Sequence, residues 1–200
     1  MKKLLYIALF ALFIAGCSNQ VTYLNNADSK ELTSVGIDFH DIESTARKSV
    51  QNLLDSSYVQ NLSGKPKILA ISDVINDTMQ RVNTQDLTLK IARAMRNTGK
   101  FQLTSAISGS GGMTDDMISR ARKLRDDKEV NQKTTIEEGN LIAPDLSLSG
   151  KIVQKNTAVG RKQRIDYSFI LVLTDLKTGL VVWDDDSHII KVTGSKDVAW

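Results

Sequence analysis

Lys67-Ile-Leu-Ala-Ile-Ser-Asp-Val-Ile75 is the stretch on which the fold turns. It is short, apolar and rich in β-branched residues, with the turn Ser63-Gly64-Lys65-Pro66 before it and Asn76-Asp77-Thr78 after it. A bounded apolar run of this kind reads as a mostly buried strand. A polar loop continues to Asn83, and then Leu87, Ile91, Ala94 and Met95 recur at helical spacing. Asn83 or Thr84 is placed to cap that helix, and Asn97-Thr98-Gly99-Lys100 ends it, with Gly99 suited to a left-handed position. Phe101-Gln-Leu-Thr104 alternates as a second strand. Strand, loop, helix, strand is a βαβ-type unit.

Upstream, Ile42, Ala46, Val50, Leu53 and Leu54 recur three and four residues apart, with Arg47, Lys48 and Gln51 between them. That spacing predicts an amphipathic helix from Asp41 to about Ser56, capped by Asp38 or Asp41. Downstream, Ser108-Gly-Ser-Gly-Gly112 reads as a flexible loop. Thr114, with Asp115 and Asp116 in the first turn, opens a charged helix to about Lys128 whose apolar stripe is Met117, Ala121 and Leu124. Residues 129–139 are either a short helix or a loop. Three strand candidates follow at 145–154, 165–174 and 180–192, the last two joined by a hairpin turn, Asp175-Leu-Lys-Thr-Gly179. A βαβ unit, a helix and a β meander predict an α/β (α+β) domain, a mixed β-sheet flanked by helices.

The N-terminus carries a different signal. Lys2 and Lys3 precede an apolar run from Leu4 to Ala15, and small residues lead to the single cysteine, Cys17. A basic start, a short apolar run and small residues mark a secretory signal peptide, and about 12 residues are too few to cross ~30 Å of hydrocarbon. An exported chain with one cysteine forms no internal disulfide. Leu12-Phe-Ile-Ala-Gly-Cys17 resembles the lipobox of bacterial lipoproteins, which implies cleavage after Gly16 and acylation of Cys17. Each buried CH₂ of such chains contributes ~0.8 kcal/mol to membrane attachment. Ser18 stands where an Asp commonly retains such proteins in the inner membrane, so the resemblance implies the outer one. The expected organisation is a signal peptide (1–16), a lipidated N-terminus with a short tether (17–36) and a globular domain facing the periplasm (37–200). The tether is polar and aperiodic; as a coil it spans about 25 Å, and about 65 Å fully stretched.

Cleavage would remove two lysines and lower the formal charge from +3 to +1. That balance argues against nucleic acid as a partner. No catalytic residue is expected. His40 and His188 have no nucleophile pattern beside them in sequence. Cys17 is committed to lipid, which leaves no cysteine for thiol chemistry or a Cys-type zinc site. Asp184-Asp185-Asp186 would alternate between faces along a strand and cannot converge on an ion, so a solvated strand end is expected there. The 108–112 loop lacks the G-x-x-x-x-G-K pattern of a phosphate cradle. Neither cofactor nor metal is expected.

Two surfaces are candidates for contact with a protein. One is the loop Asn76, Asp77, Thr78 and Arg81 at the end of the first strand, which either carries contacts or merely leads into the helix. The other is Gly160-Arg161-Lys162-Gln163-Arg164, a hairpin tip that is either an interface or a charged, solvated turn. Tyr167 and Trp183 are expected in the core or on a sheet face.

Several of these stretches resemble the LpoB family in order along the chain. They are Leu69-Ala-Ile-Ser-Asp-Val-Ile-Asn-Asp-Thr78, the helix at 84–98 with Asn97-Thr98-Gly99-Lys100-Phe101, Ala143-Pro144-Asp145-Leu146-Ser147-Leu148-Ser149-Gly150, and Leu171-Val-Leu-Thr-Asp-Leu-Lys-Thr-Gly-Leu-Val-Val-Trp183. The resemblance implies a fold like the amino-terminal domain of TolB. It also implies a non-enzymatic outer-membrane lipoprotein that docks on a bifunctional penicillin-binding protein and stimulates peptidoglycan synthesis. The best-known members carry a long proline-rich tether, whereas residues 18–36 are few and contain no proline. The competing expectation is an assembly lipoprotein of a secretion or flagellar complex using the same fold.

Overall fold

This computed structural model describes residues 36–107 and 114–194. The expected signal peptide, Cys17, the expected tether as far as residue 35 and the Ser108–Gly112 stretch lie outside them.

The first helix, α1, spans Phe39–Asp55. Asp38 caps it: its carboxylate accepts from the Asp41 amide (2.9 Å) while Asp41 accepts from the Asp38 amide (3.0 Å), a reciprocal capping box. The chain then breaks at Ser56 and restarts as a single-turn helix α2, Ser57–Gln60, capped by the Ser56 hydroxyl. The spacing of apolar residues did not predict α2, because one turn is too short to show a period.

Strand β1 runs Lys67–Asp77, helix α3 Thr84–Asn97 and strand β2 Phe101–Leu103. Asn83 caps α3, and Gly99 at φ +70° provides the left-handed residue beyond its end. Helix α4 occupies Asp116–Lys123, capped by Asp115 rather than Thr114, and ends in a 3₁₀ turn at Leu124–Asp126. A second 3₁₀ turn lies at Gln132–Thr134. Three long strands complete the fold: β3 Leu146–Val159, β4 Lys162–Asp175 and β5 Val181–Gly194.

The sheet order is β2-β1-β3-β4-β5, with β1 parallel to β2 and β3, and β4 antiparallel to both neighbours. It is a mixed sheet, as expected. Leu148, Ile152, Phe169, Leu171 and Leu173 alternate toward one face. There they meet α1 (Val50, Leu53) and α3 (Leu87, Ile91, Met95). The register of β1 slips between Ile71 and Val74, so the inward residues run Leu69, Ile71, then Val74. Tyr167 is buried and Trp183 packs against the core edge, as the sequence implied.

Three expectations need correction. Asn76 and Asp77 do not break β1; they pair with Ile152 and Val153 as its last residues. The stripe on α4 is not a core face, since Met117 is 60% and Leu124 43% exposed. A short helix with an apolar stripe but no facing layer has nothing to bury it against. Finally, the Asp184–Asp186 run lies inside β5, not at its end.

Candidate functional site: the hairpin end of the sheet

Both sequence-proposed surfaces lie at one end of the sheet, beyond the last residue of β1. Asp77 pairs with Val153, while β3 and β4 continue as a hairpin until Val159 pairs with Lys162. At strand rise, its tip stands roughly 20 Å past β1. Gly160, φ +61°, turns the chain there.

The loop after β1 is tied down by its own side chains. The Asn76 amide donates to the Gln80 carbonyl (2.7 Å), and the Thr78 hydroxyl bonds Asn76 Oδ1 (2.8 Å). Gln154 of β3 accepts from the Met79 amide (3.0 Å). Asp77 points to the other side of the sheet and pairs with Lys151 (2.7 Å). Asn76 and Thr78 therefore shape the loop, and what the loop offers a partner is Met79, 74% exposed. Sequence reasoning missed Met79. A lone methionine in a polar loop carries no periodic signal, and only the fold shows it standing clear.

Arg161 and Lys162 are exposed at the hairpin tip, whereas Arg164 is held by Asp166 on its own strand (2.9 Å). Arg81 closes the loop in sequence, two residues before Asn83, the cap of α3. With Ile37, Ile42, Val82 and Leu87 it borders a hollow of about 200 Å³ between α1 and α3. The structure thus gathers the loop and the tip at one end, and turns Arg81 toward the helices.

The first of the described residues lie at this same end. Gln80 Oε1 accepts from the Ile37 amide (2.7 Å) and from the Tyr167 hydroxyl (3.4 Å). Lys191 of β5 donates to the Gly36 carbonyl (2.7 Å) and pairs with both Asp38 and Asp41. Burial alone would raise the Asp38 pKa; the Asp41 amide and Lys191 outweigh it, and the carboxyl sits below its ordinary value. Burial raises the Tyr167 hydroxyl, against the Ile37 amide and Lys191.

His188 gains neighbours that the sequence did not reveal. Its Nδ1 lies 3.0 Å from the Ser168 hydroxyl and its Nε2 3.5 Å from Asp186. Serine, histidine and aspartate in a row invite a catalytic reading, but this row lies on an open sheet face. Strand β4 is paired on both sides, so its amides are spent in the ladders and none is left to hold an oxyanion. The three aspartates alternate as expected. Asp185 turns inward to Asn52 (2.9 Å) and Ser187 (2.8 Å). Burial would raise its pKa, and the neighbouring Ser49 hydroxyl with the hydrogen bonds from Asn52 and Ser187 brings it below its usual range. Among the described residues no group of His, Cys, Asp or Glu side chains is placed to hold a metal ion, and no helix is long and apolar enough to cross a membrane.

A sequence model of the family described as peptidoglycan-synthase activator LpoB matches residues 41–189, which spans α1 through most of β5. The chain belongs to the LpoB family. Among solved structures, it is similar to the LpoB C-terminal domain from Salmonella enterica (13% identity, TM-score 0.43, covering 74% of this chain and 98% of that one). It is also similar to the LpoB C-terminal domain from Escherichia coli (14%, 0.40, 72% and 97%) and to lipoprotein GNA1162 from Neisseria meningitidis (13%, 0.36, 64% and 85%). At those scores LpoB membership rests on the sequence match alone. No curated protein matches the chain.

Proposed function

We propose that this LpoB-family protein is a lipoprotein of the outer membrane that stimulates a bifunctional penicillin-binding protein by contact. The observation that carries the reading is the family match over residues 41–189, which takes in nearly every element of the sheet and both packed helices. The family is one of activators rather than enzymes, and the open, ladder-bound setting of His188 agrees with that. Acylation of Cys17 would supply the anchor, and the short tether would keep the domain close to the leaflet. The contact surface is the hairpin end, where Arg161 and Lys162 are exposed at the tip and Met79, its sulfur touching Asn156 of β3 (3.9 Å), is 74% exposed.

Stimulation requires that the domain bind the active form of the synthase better than the resting form, since equal affinity for both shifts nothing. A tenfold activation needs about 1.4 kcal/mol of differential affinity, which a modest interface can supply. The test is affinity for the periplasmic part of the synthase, measured with the mature protein and with Arg161→Glu/Lys162→Glu. The reading expects the wild type to bind and the double variant to bind at least about tenfold more weakly. Equal binding by both would move the interface elsewhere. No binding by the wild type would remove this partner, and mass spectrometry finding a free Cys17 thiol would remove the anchor.

A further inference from the structure

The face of the sheet turned away from α1 and α3 is lined in register. Across β3, β4 and β5 its rows read Ser149–Val172–Asp184, Lys151–Ile170–Asp186, Val153–Ser168–His188, Lys155–Asp166–Ile190 and Thr157–Arg164–Val192. Lysines stand on β3 and aspartates on the near half of β5. On β4 between them Val172 and Ile170 give way to Ser168, Asp166 and Arg164, and Ile190 and Val192 fill the far half of β5. Ile190 is 55% and Val192 61% exposed, and Ile75 on β1 joins them at 59%. A solvated sheet face normally carries polar residues at such positions. Six aliphatic side chains on one face, with cations to one side and anions to the other, are the chemistry of a face that gets covered.

We propose that a second copy of this chain covers it, related by a two-fold axis parallel to β4. That rotation lays β3 of one copy over β5 of the other and puts Lys151 opposite Asp186 twice, once on each side of the axis. Ile170 and Val172, on the axis, meet their own counterparts, as do Asp166 and Arg164, whose ion pair within each chain (2.9 Å) leaves that stretch of the axis without net charge. The alternative axis, perpendicular to the strands, would lay β5 over β5 and β3 over β3, so that no lysine of β3 meets an aspartate of β5 across the interface. Lys151 already pairs with Asp77 at 2.7 Å, so in the dimer it is shared between a carboxylate of its own chain and one of the second copy.

The axis has a second consequence. A rotation about the strand direction keeps both hairpin tips, and both Gly36 positions, at the same end. Two chains so paired could be anchored in one leaflet with both tethers leaving from the same end, whereas the perpendicular axis would send them from opposite ends. The proposal stands on the chemistry of the sheet face and draws on the anchoring reading only for this agreement. The shared patch is roughly 30 by 15 Å, below the ~800 Å² per partner of a standard interface, so pairing is weak in solution and strengthened by confinement to a surface.

The test uses the full chain in its own envelope. Ile170→Cys places one thiol on the axis, and a short bismaleimide should join two copies, read by mass spectrometry as the linked residue-170 peptides. Adding Lys151→Glu should lower that yield about tenfold through like charge against Asp186. Asp186→Lys alone should do the same, and Lys151→Glu with Asp186→Lys should restore it. Folding of each variant is checked by its thermal midpoint, and all positions are on the surface. A missing residue-170 link, a link to some other protein, or single charge reversals that leave the yield unchanged would each overturn the proposal.

Discussion

Lys191→Met is the most informative single change to the fold. Lys191 reaches across from β5 to the start of α1, where its ammonium meets Asp38 at 3.4 Å, Asp41 and the Gly36 carbonyl. Its side chain is 17% exposed, and those of Asp38 and Asp41 are 20% and 22%. Exposed ion pairs are worth about 0.2–1 kcal/mol, while stripping one partner from a buried pair costs about 3–5 kcal/mol. This site lies between the two. The carboxylates also keep their capping-box amides and the favourable helix N-terminus, so the expected loss is about 2 kcal/mol. A domain of this size should lose roughly 4–8 °C of its thermal midpoint. The acid limb of the stability curve should move as well. The folded Asp38 pKa lies below its unfolded value, so its stabilisation is full above the unfolded pKa and is lost as pH falls through the folded one. Without Lys191 the folded value rises toward the unfolded one, so the variant lacks this stabilisation at neutral pH, loses less of it on acidification, and the two stability curves should converge as pH falls. Thermal melts of wild type and Lys191→Met from pH 3 to 7 measure both effects. Coincident curves would refute the argument that this lysine secures the start of the domain.

Three further outcomes follow from the packing and the charges. Gly150→Ala should destabilise by about 1 kcal/mol in denaturant titration, because a Cβ there would stand 3.0 Å from Leu171 Cδ2 and 3.1 Å from Val74 Cγ2, and overpacking outweighs the gain in strand propensity. Asp184→Val/Asp186→Val should promote concentration-dependent aggregation, read by light scattering, since β5 is a long edge strand whose charges discourage further pairing. Leu53→Ala, at a fully buried position on α1, should cost about 2–5 kcal/mol in the same titration.

The fold was legible where side chains report their own burial. The periods of α1 and α3, the partial alternation at the start of β3 and the turn glycines at 99 and 179 all express local rules that the tertiary structure obeys. Strand ends were less legible. Asn76 and Asp77 look like breakers, yet their backbone pairs with β3 and their side chains find partners at Gln80 and Lys151. The helix α4 misled in the opposite sense, because periodicity predicts a face but not whether anything packs on it.

Several residues that carry the family resemblance prove to be builders of the fold. Asp145 accepts from the Ile68 amide and donates its own amide to the Ile68 carbonyl, both at 2.8 Å, fixing where β1 starts. Lys100 holds the Val59 carbonyl at the end of α2 (2.7 Å). The site was legible only in part. Arg161 and Lys162 stand exposed where the sequence put a hairpin tip, but Asn76 and Thr78 bond within their loop and Arg164 bonds Asp166. Ser168 and His188 are 20 residues apart in sequence, and their meeting depends on strand register, which no local pattern encodes.

Glycan polymerisation by a purified bifunctional penicillin-binding protein, timed with and without this protein, tests the central claim most directly. A severalfold faster rate with the wild type, abolished by Arg161→Glu/Lys162→Glu, is the predicted result. An unchanged rate at protein concentrations that saturate binding would contradict it.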